Sequence, residues 1–334
     1  MMQPLKYCPS SFSEGYESYS PEALIALFDG AKVSHILPFS SPKNDDETFE
    51  LFLDHRKRIS VSGIQEKISL RLHENELRLL SNGEQGTHIL KPIPRDLKKV
   101  NEVPINEHLT MQIAQQIYNI PTAANALIFF QDGTPAYITR RFDLQNDETK
   151  IAIEDFASLA GKHENNSGPN YKYEYSYEAL AALVRKYSST TDLDLEKYFK
   201  IIIFNYLFSN GDAHLKNFSL IENKQNGYEL SPTYDLLNTK IHVADTDFAL
   251  RKGLFEDDFR SATYRKQGHP SKTDFLEFAH RIGLAADNAE LLLVPFLQKQ
   301  AVVETFVQRS LLSESSKNAY LIHYNTKRNY LNQI

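Results

Sequence analysis

The stretch SNGDAHLKN, from Ser209 to Asn217, follows the strongly apolar run KYFKIIIFNYLF. The apolar run predicts a long buried helix, and the polar stretch predicts a short loop that follows this helix. Burying polar groups costs free energy, so loops of this composition are usually kept for chemistry. The side chains that could carry such chemistry are Asp212, His214, Lys216 and Asn217, followed by Asp235 at the end of the segment SPTYD.

The composition is that of a globular protein. With 334 residues and 41% hydrophobic content, the chain can form one large domain or two lobes with a buried core. A net charge of -6 argues against a generally basic nucleic-acid binder, although it leaves room for a local basic patch. Cys8 is the only cysteine, so no intramolecular disulfide can form.

The first residues are too polar for a secretory signal, and no apolar run approaches the ~20 residues that cross a bilayer. We therefore expect a cytoplasmic protein.

Alternating apolar and polar residues predict a strand-rich first half. A hairpin is expected around His73–Asn75, a further strand at THILKP, and a second hairpin around Asp132–Gly133. Between them, PINEHLTMQIAQQIYN predicts a helix capped by Asn106. The apolar face of this helix should hold Leu109, Ile113, Ala114 and Ile117.

Helical patterns dominate the second half. They comprise SYEALAALVRKY, DLEKYFKIIIFNYLF, TDFLEFAHRIG, a run from Asn288 to about Arg309, and SSKNAYLIHYNTKRNYL. A hairpin, NFSLIENKQNGYELSPTYDL, follows the predicted loop, and KHENNSGPNYKYE is a polar segment that we expect to be mobile. Two peripheral helices are expected near the start, at PEALIALF between Ser20 and Gly30 and at ELFLDHRKR. The pattern predicts an α+β fold with a strand-rich lobe over residues 1–150 and a helical lobe over residues 151–334, with a ligand-binding cleft.

Asp212 and Asn217 have D-x-x-x-x-N spacing. A protein-kinase catalytic loop uses this spacing to present an Asp to the substrate hydroxyl and an Asn to a metal ion. Phosphoryl transfer depends on positioning and charge compensation, so other parts should occur in a fixed order. In chain order, the candidates are Ser60 to Gln65 as a loop over the phosphates, Lys91 on the α- and β-phosphates, Glu107 as the carboxylate that holds Lys91, and Asp235 as the second metal-binding acid. We expect them to converge on one nucleotide and its divalent ions.

The segments SVSGIQEKISL, THILKP, ITRRFD, SNGDAHLKNFSL and SPTYDLL resemble the HipA-like serine/threonine kinases, toxins of bacterial toxin–antitoxin systems. The resemblance covers roughly Ile59 to Lys240 and implies a protein-kinase-like fold that uses ATP and Mg2+. It implies Asp212, His214 and Lys216 as the catalytic residues, with Asp212 as the base and His214 bracing the loop. It implies Asn217 and Asp235 as magnesium ligands. Nucleotide contacts would come from Lys91 with Glu107, from Glu154 and Asp155 in IEDFASLAG, and from Ser62, Gly63, Gln65 and Lys67 in SGIQEK.

The same resemblance implies partners and a regulatory modification. The phosphate loop has a single glycine, unlike G-x-G-x-x-G, and its serines Ser60 and Ser62 stand where the family carries autophosphorylated serines. Phosphate there adds about -1.5 to -2 charges beside the nucleotide. The short N-terminal part resembles the HipT branch, which implies a small HipS-like protein and a DNA-binding HipB-like antitoxin. The implied substrate is an aminoacyl-tRNA synthetase.

Several ordinary interpretations compete with this hypothesis. Asp212 and Asn217 suit a turn, Lys91 suits an exposed strand end, and Glu107 favours a helix N-terminus. The two loop serines and the Arg140–Arg141 pair are common surface residues. His214 could form a transition-metal site with Asp212 and Asp235. Two other functions also stay open: a small-molecule phosphotransferase, and a catalytically idle corepressor that binds an antitoxin and DNA.

Overall fold

The computed structural model describes residues 5–41, 66–81, 83–94, 97–145, 149–225 and 227–333. The chain divides into two compact units. Unit 1 comprises Met1–Gln112, Ala123–Lys150 and Thr305–Glu314, and unit 2 comprises Ile113–Thr122, Ile151–Glu304 and Ser315–Ile334. The predicted phosphate loop, with Ser60, Ser62, Gly63 and Gln65, lies outside the described residues, as does the predicted helix ELFLDHRKR.

Unit 1 contains an antiparallel sheet of five strands in the order β2-β1-β3-β5-β4. The strands are β1 (Ile68–His73), β2 (Glu76–Leu79), β3 (His88–Lys91), β4 (Asn125–Phe129) and β5 (Pro135–Arg140). Both predicted hairpins are confirmed, with Glu74 and Gly133 at positive φ in their turns. Lys91 is the last residue of the central strand, which fixes its position against the neighbouring β5.

Two helices accompany this sheet along the chain: α1 (Pro21–Phe28) and α2 (Val103–Gln116). The predicted cap of α1 is confirmed, because Ala23 N donates to Ser20 Oγ at 3.3 Å. The predicted cap of α2 was wrong, since Asn106 lies inside the helix and is fully buried. Pro104 explains the earlier start, because the fixed φ of proline and its missing N–H suit the first turn of a helix.

The core of unit 1 is made by α1 and one face of the sheet. Leu27 and Phe28 of α1 are buried in the same cluster as Leu70, Leu90 and Ile138.

On α2, the predicted apolar face is buried at Leu109, Ile113 and Ala114, whereas Ile117 follows the last helical residue and is half-buried. The apolar spacing was therefore a good guide to the face of α2 and a poor guide to its ends.

Unit 2 holds a small antiparallel sheet, in the order β6-β7-β8, made by β6 (Ile153–Asp155), β7 (Ser219–Glu222) and β8 (Tyr228–Leu230). The β7–β8 pairing confirms the predicted hairpin. The helices from residue 151 onward are α3 (Phe156–Leu159), α4 (Glu164–Ser167), α5 (Tyr177–Tyr187), α6 (Thr191–Leu207), α7 (Ala262–Gln267), α8 (Lys272–Arg281), α9 (Ala286–Leu297), α10 (Ala301–Arg309) and α11 (Glu314–Leu331).

The predicted single helix from Asn288 to Arg309 was wrong, because the structure separates it into α9 and α10. Pro295 lies in α9 and cannot donate to the helical ladder, and Gln298 is extended with ψ 147°. The polar segment around Lys172, which we expected to be mobile, forms α4 and a short 3-10 turn, Tyr171–Tyr173.

Helix α6 is the buried centre of unit 2. Most of its side chains from Leu195 to Leu207 are buried, as the apolar run predicted. Aromatic rings surround it, with Tyr198 against Phe218 at 5.6 Å and Phe208 stacked on Tyr324 at 5.2 Å between ring centroids. The packing fixes the C-terminal end of α6, from which the polar loop departs. Among the helices of the described residues, none is both long enough and apolar enough to span a membrane.

Two buried histidines of unit 1 make its stability depend on pH. Burial lowers the pKa of His88 to about 4, and the pKa of His108 likewise to about 4. The Nε2 atoms donate to the carbonyls of Leu27 and Ser10, and His108 Nδ1 finds no hydrogen-bond partner among the described residues. Protonation of His108 would therefore place a buried charge without an acceptor at Nδ1, and protonation of His88 would place a charge in an almost fully buried site.

We expect the free energy of unfolding to fall by about 2 kcal/mol per histidine between pH 7 and pH 5. The unfolded chain binds a proton as the pH falls through 6.5, whereas the folded chain resists until about 4, so stability is highest above 6.5. Urea titrations at both pH values measure this. His108→Gln should reduce the pH dependence, while His163→Gln, at an exposed position, should leave it unchanged. Equal pH dependence in the parent and His108→Gln would contradict the assignment.

Candidate active site

The loop after α6 has a backbone that its neighbours hold on several sides. Ser209 has φ +54°, and Asn210 Nδ2 donates to Asn205 Oδ1 at 2.8 Å. Gly211 N donates to Thr239 Oγ1 at 2.9 Å, and that hydroxyl donates to Ser209 O at 3.0 Å. A Cβ at Gly211 would lie 2.6 Å from Thr246 O, so this position requires glycine. Asn210 and Gly211 of the S-N-G-D motif therefore each have a structural reason.

Asp212 presents an exposed carboxylate from this loop. Its Oδ1 atom accepts a hydrogen bond of 2.8 Å from the hydroxyl of Tyr173. Desolvation by the surrounding loop raises the pKa of Asp212, and the negative charges of Asp245 and Asp235 raise it further. The bond from Tyr173 and the charge of Lys172 oppose this shift. Asp212 thus combines solvent access with a raised proton affinity, as a general base requires.

Asn217 and Asp235 meet, although they are 18 residues apart in the sequence. Asn217 Nδ2 donates to Asp235 Oδ2 at 3.1 Å, while Asn217 Oδ1 accepts from His214 N at 3.1 Å. Asp235 has φ +57°, a left-handed conformation that few non-glycine residues adopt and that Asp tolerates better than most. Amide and carboxylate oxygens are the ligands that Mg2+ prefers, and both groups have lone pairs beyond those used here. The donor set therefore fits a magnesium ion.

His214 and Lys216 support the loop from two sides. His214 is buried, and its ring meets the ring of Tyr173 edge-on with centroids 5.3 Å apart. Lys216 Nζ lies 3.9 Å from Asp155 Oδ2, and its carbonyl accepts from the Tyr234 hydroxyl at 3.1 Å. Through these contacts the two residues help to position the loop, and their catalytic roles stay predictions.

The β6 acids occupy different environments. Glu154 is exposed and pairs in register with Leu220 of β7. Asp155 accepts from Ser158 N at 2.9 Å and thereby caps α3. Lys67 is half-buried and immediately precedes β1 in unit 1. Their proposed roles toward a nucleotide stay predictions.

Lys91 and Glu107 form a buried ion pair in unit 1. The exposed fractions of the two residues are 3% and 1%, and Lys91 Nζ contacts Glu107 Oε1. The ammonium also lies 5.1 Å from the centroid of the Tyr137 ring. A buried pair of this kind has a large desolvation cost and is weak evidence for stability by itself, so its position calls for a functional explanation. The geometry is not that of a surface lysine at a strand end.

The structure thus brings together Lys91 with Glu107, Lys216 with Asp155, and Asn217 with Asp235. Sequence reasoning missed Tyr173, which contacts Asp212, and Thr239, which holds the loop backbone. Tyr173 lies in a polar segment without a periodic pattern, so no signal indicated it. In the described parts of the chain, no group of three or more His, Cys, Asp or Glu side chains is placed to hold a metal ion.

We expect removal of either member of the Lys91–Glu107 pair to destabilise the fold by about 3 to 5 kcal/mol, because the remaining buried charge loses the counter-charge of this ion pair. The double variant Lys91→Met/Glu107→Leu should cost less than the sum of the two single variants. Urea titrations of the parent, the two single variants and the double variant provide a double-mutant cycle. As a control, Arg140→Met at the more exposed Arg140–Asp29 pair should have a much smaller effect. Strict additivity at Lys91 and Glu107 would contradict direct coupling.

Comparison with known proteins places the chain in a family. A family model described as the HipA-like C-terminal domain matches residues 59–305. The chain is 27% identical to a Haemophilus influenzae protein described as a kinase, over 100% of this chain and 97% of that protein. It is also 27% identical to the serine/threonine-protein kinase toxin HipA of Shewanella oneidensis, over 61% of this chain and 48% of that protein.

Two solved structures share the fold. One is HipA of Shewanella oneidensis in complex with HipB and operator DNA, with a TM-score of 0.61 and 22% identity over 81% of this chain and 63% of that chain. The other is the Helicobacter pylori proinflammatory kinase CtkA, with a TM-score of 0.52 and 12% identity over 79% of this chain and 94% of that chain. The predicted α+β, protein-kinase-like fold is confirmed by these likenesses. Since the family model covers well over half of the residues, this chain belongs to the HipA-like C-terminal domain family.

Proposed function

We propose that this chain is an ATP-dependent protein serine/threonine kinase that acts as the toxin of a bacterial toxin–antitoxin system. The observation that carries the proposal is the meeting of Asn217 with Asp235 beside the base candidate Asp212. D-x-x-x-x-N spacing alone is compatible with a simple turn. A turn does not require a distant aspartate in a left-handed conformation to contact the asparagine.

In the proposed reaction, Asp212 accepts the proton of the substrate hydroxyl. Its raised pKa favours proton uptake, and its exposed position admits a substrate. Asn217 and Asp235 would hold Mg2+, which supplies charge neutralisation on the phosphates when it is bound. His214 keeps the loop in place through its backbone N–H on Asn217 Oδ1.

Further residues would hold the nucleotide. Lys91 would bind the α- and β-phosphates while Glu107 orients its ammonium. The segment from Ser62 to Lys67, with Gly63 and Gln65, would cover the phosphates. Glu154 and Asp155 would lie near the adenine. The proposal requires one ATP to be reached by all of them.

The wider biology follows from the family by analogy. HipA of Shewanella oneidensis has been solved with HipB and operator DNA, so a DNA-binding HipB-like antitoxin is the first partner to test. A small HipS-like protein is the second, and DNA would be approached only through the antitoxin complex. An aminoacyl-tRNA synthetase in the cytoplasm is the proposed substrate. Autophosphorylation of Ser60 or Ser62 would add negative charge next to the phosphates and lower activity.

We expect Asp212→Asn to reduce phosphoryl transfer from radiolabelled ATP by at least about 100-fold, the usual contribution of a general base. The substitution keeps the shape of the side chain and an oxygen that can accept from Tyr173, so stability should hold. Parent and variant are incubated with Mg2+ and ATP, and with either the dialysed protein fraction or the small-molecule fraction of a bacterial lysate.

As a matched control, Asp258→Asn changes an exposed acid of unit 2 and should retain full activity. Label in the small-molecule fraction alone would indicate a metabolite phosphotransferase. Equal growth inhibition by the parent and Asp212→Asn in cells would favour the idle corepressor. Protein labelling that survives Asp212→Asn would overturn the assignment of the base.

A further inference from the structure

The hydroxyl of Tyr173 contacts the carboxylate of Asp212, the residue proposed above as the general base. It ends the 3-10 turn Tyr171–Tyr173, between α4 and α5. Its hydroxyl donates to Asp212 Oδ1 at 2.8 Å, and its ring packs edge-on against His214. A distance of this length is the one over which a general base takes a proton.

Backbone contacts hold the tyrosine in this place. The carbonyl of Tyr173 accepts from Arg251 N at 3.0 Å, and the carbonyl of Tyr175 accepts from Lys252 N at 3.3 Å. Glu174, between them, forms an ion pair with Arg251. Residues 173–175 are therefore held against the segment 251–252 by two main-chain hydrogen bonds and one ion pair. Because the backbone of this segment is held in place, the hydroxyl of Tyr173 is positioned at Asp212 by more than its own side-chain rotamer.

The electrostatics keep the hydroxyl protonated. Burial raises the pKa of Tyr173, and the negative charges of Asp212 and Asp245 raise it further. At neutral pH the phenol therefore keeps its proton and donates a hydrogen bond to Asp212, and it could act as a nucleophile only by passing that proton to a base. Asp212 is the base within reach.

We propose that Tyr173 is an intramolecular phosphoacceptor of this chain, a role that rests on the proposed kinase function. Tyr173 Oη forms a bond to the γ-phosphorus of ATP, and the bond from that phosphorus to the β–γ bridging oxygen breaks. The phenolic proton passes to Asp212, and ADP leaves with the electron pair of the broken bond. A tyrosine can serve in a site suited to serine because docking in the same chain gives it a very high effective concentration.

The modification would release the site. A phosphate on Tyr173 brings about -1.5 to -2 charges next to Asp212, where Asp245 and Asp235 already act on that carboxylate. Repulsion should drive the modified side chain away from these acids. Lys172 and the partly exposed Arg251 are neighbouring cations that can receive the phosphate. Before modification the tyrosine competes with external substrates for Asp212, and afterwards it does not.

The test is to incubate the purified full chain with Mg2+ and ATP and to locate phosphate by peptide mass spectrometry. We expect phosphate on Tyr173 in the parent and none in Asp212→Asn. The rate constant should not change when the protein is diluted, because acceptor and base belong to one chain. Tyr173→Phe should phosphorylate dephosphorylated casein, used as an external acceptor, about tenfold faster at first than the unmodified parent, since it lacks the competing hydrogen bond.

Tyr175→Phe is the matched control, because Tyr175 lies beside Glu256 rather than Asp212 and its removal should leave the phosphate on Tyr173. Casein labelling without phosphate on Tyr173 would overturn this inference and leave the proposed kinase function intact. A rate constant that rises in proportion to protein concentration would overturn transfer within one chain. Absence of any label that depends on Asp212, on the chain or on casein, would overturn both proposals.

Discussion

The contact between the Asn217 amide and the Asp235 carboxylate is the interaction on which the candidate site depends. It joins the end of the loop that follows α6 to the segment that follows β8, across 3.1 Å. A further bond, from Asn210 Nδ2 to Asp235 O at 3.4 Å, ties the beginning of the same loop to the same residue. Asp235 is therefore held through both its side chain and its backbone. This explains why it can persist at φ +57° despite the cost of that conformation.

Charge is the second constraint on this part of unit 2. Asp235 and Asp245 both raise the pKa of Asp212, so three carboxylates act on one another in the folded chain. Such an arrangement is costly unless cations or hydrogen bonds compensate it. The Asn217 amide and the Tyr173 hydroxyl supply part of the compensation. A divalent cation would supply more, and a site with residual negative charge and oxygen donors attracts one.

The sequence predicted much of the fold, because the deciding patterns are local. Period-2 alternation placed β1, β2, β4 and β5, and the apolar run before Ser209 placed α6. Helix ends were less predictable: Asn106 suited a cap by residue type, but Pro104 and Val103 start the helix earlier. The division of the run after Asn288 depends on Pro295 and an extended Gln298, which an apolar count ignores.

The candidate site was likewise predictable only where the sequence pattern is local. The order of Lys91, Glu107, Asp212, Asn217 and Asp235 could be read from the sequence, and the structure pairs Lys91 with Glu107 and Asn217 with Asp235. The roles of these residues toward ATP and magnesium stay predictions. Tyr173 could not be found from the sequence, because its contact with Asp212 joins residues 39 positions apart and depends on the docking of a segment without periodicity.

We propose that Asn217 and Asp235 hold a divalent ion on a nucleotide whose phosphates Lys91 also binds. Diffraction from crystals grown with Mn2+ and a non-hydrolysable ATP analogue tests it most directly, since manganese gives an anomalous signal. We expect a manganese peak at roughly 2 Å from oxygens of Asn217 and Asp235, and analogue phosphates within hydrogen-bonding distance of Lys91 Nζ. Manganese bound elsewhere, or an analogue that leaves Lys91 without a phosphate contact, would contradict it.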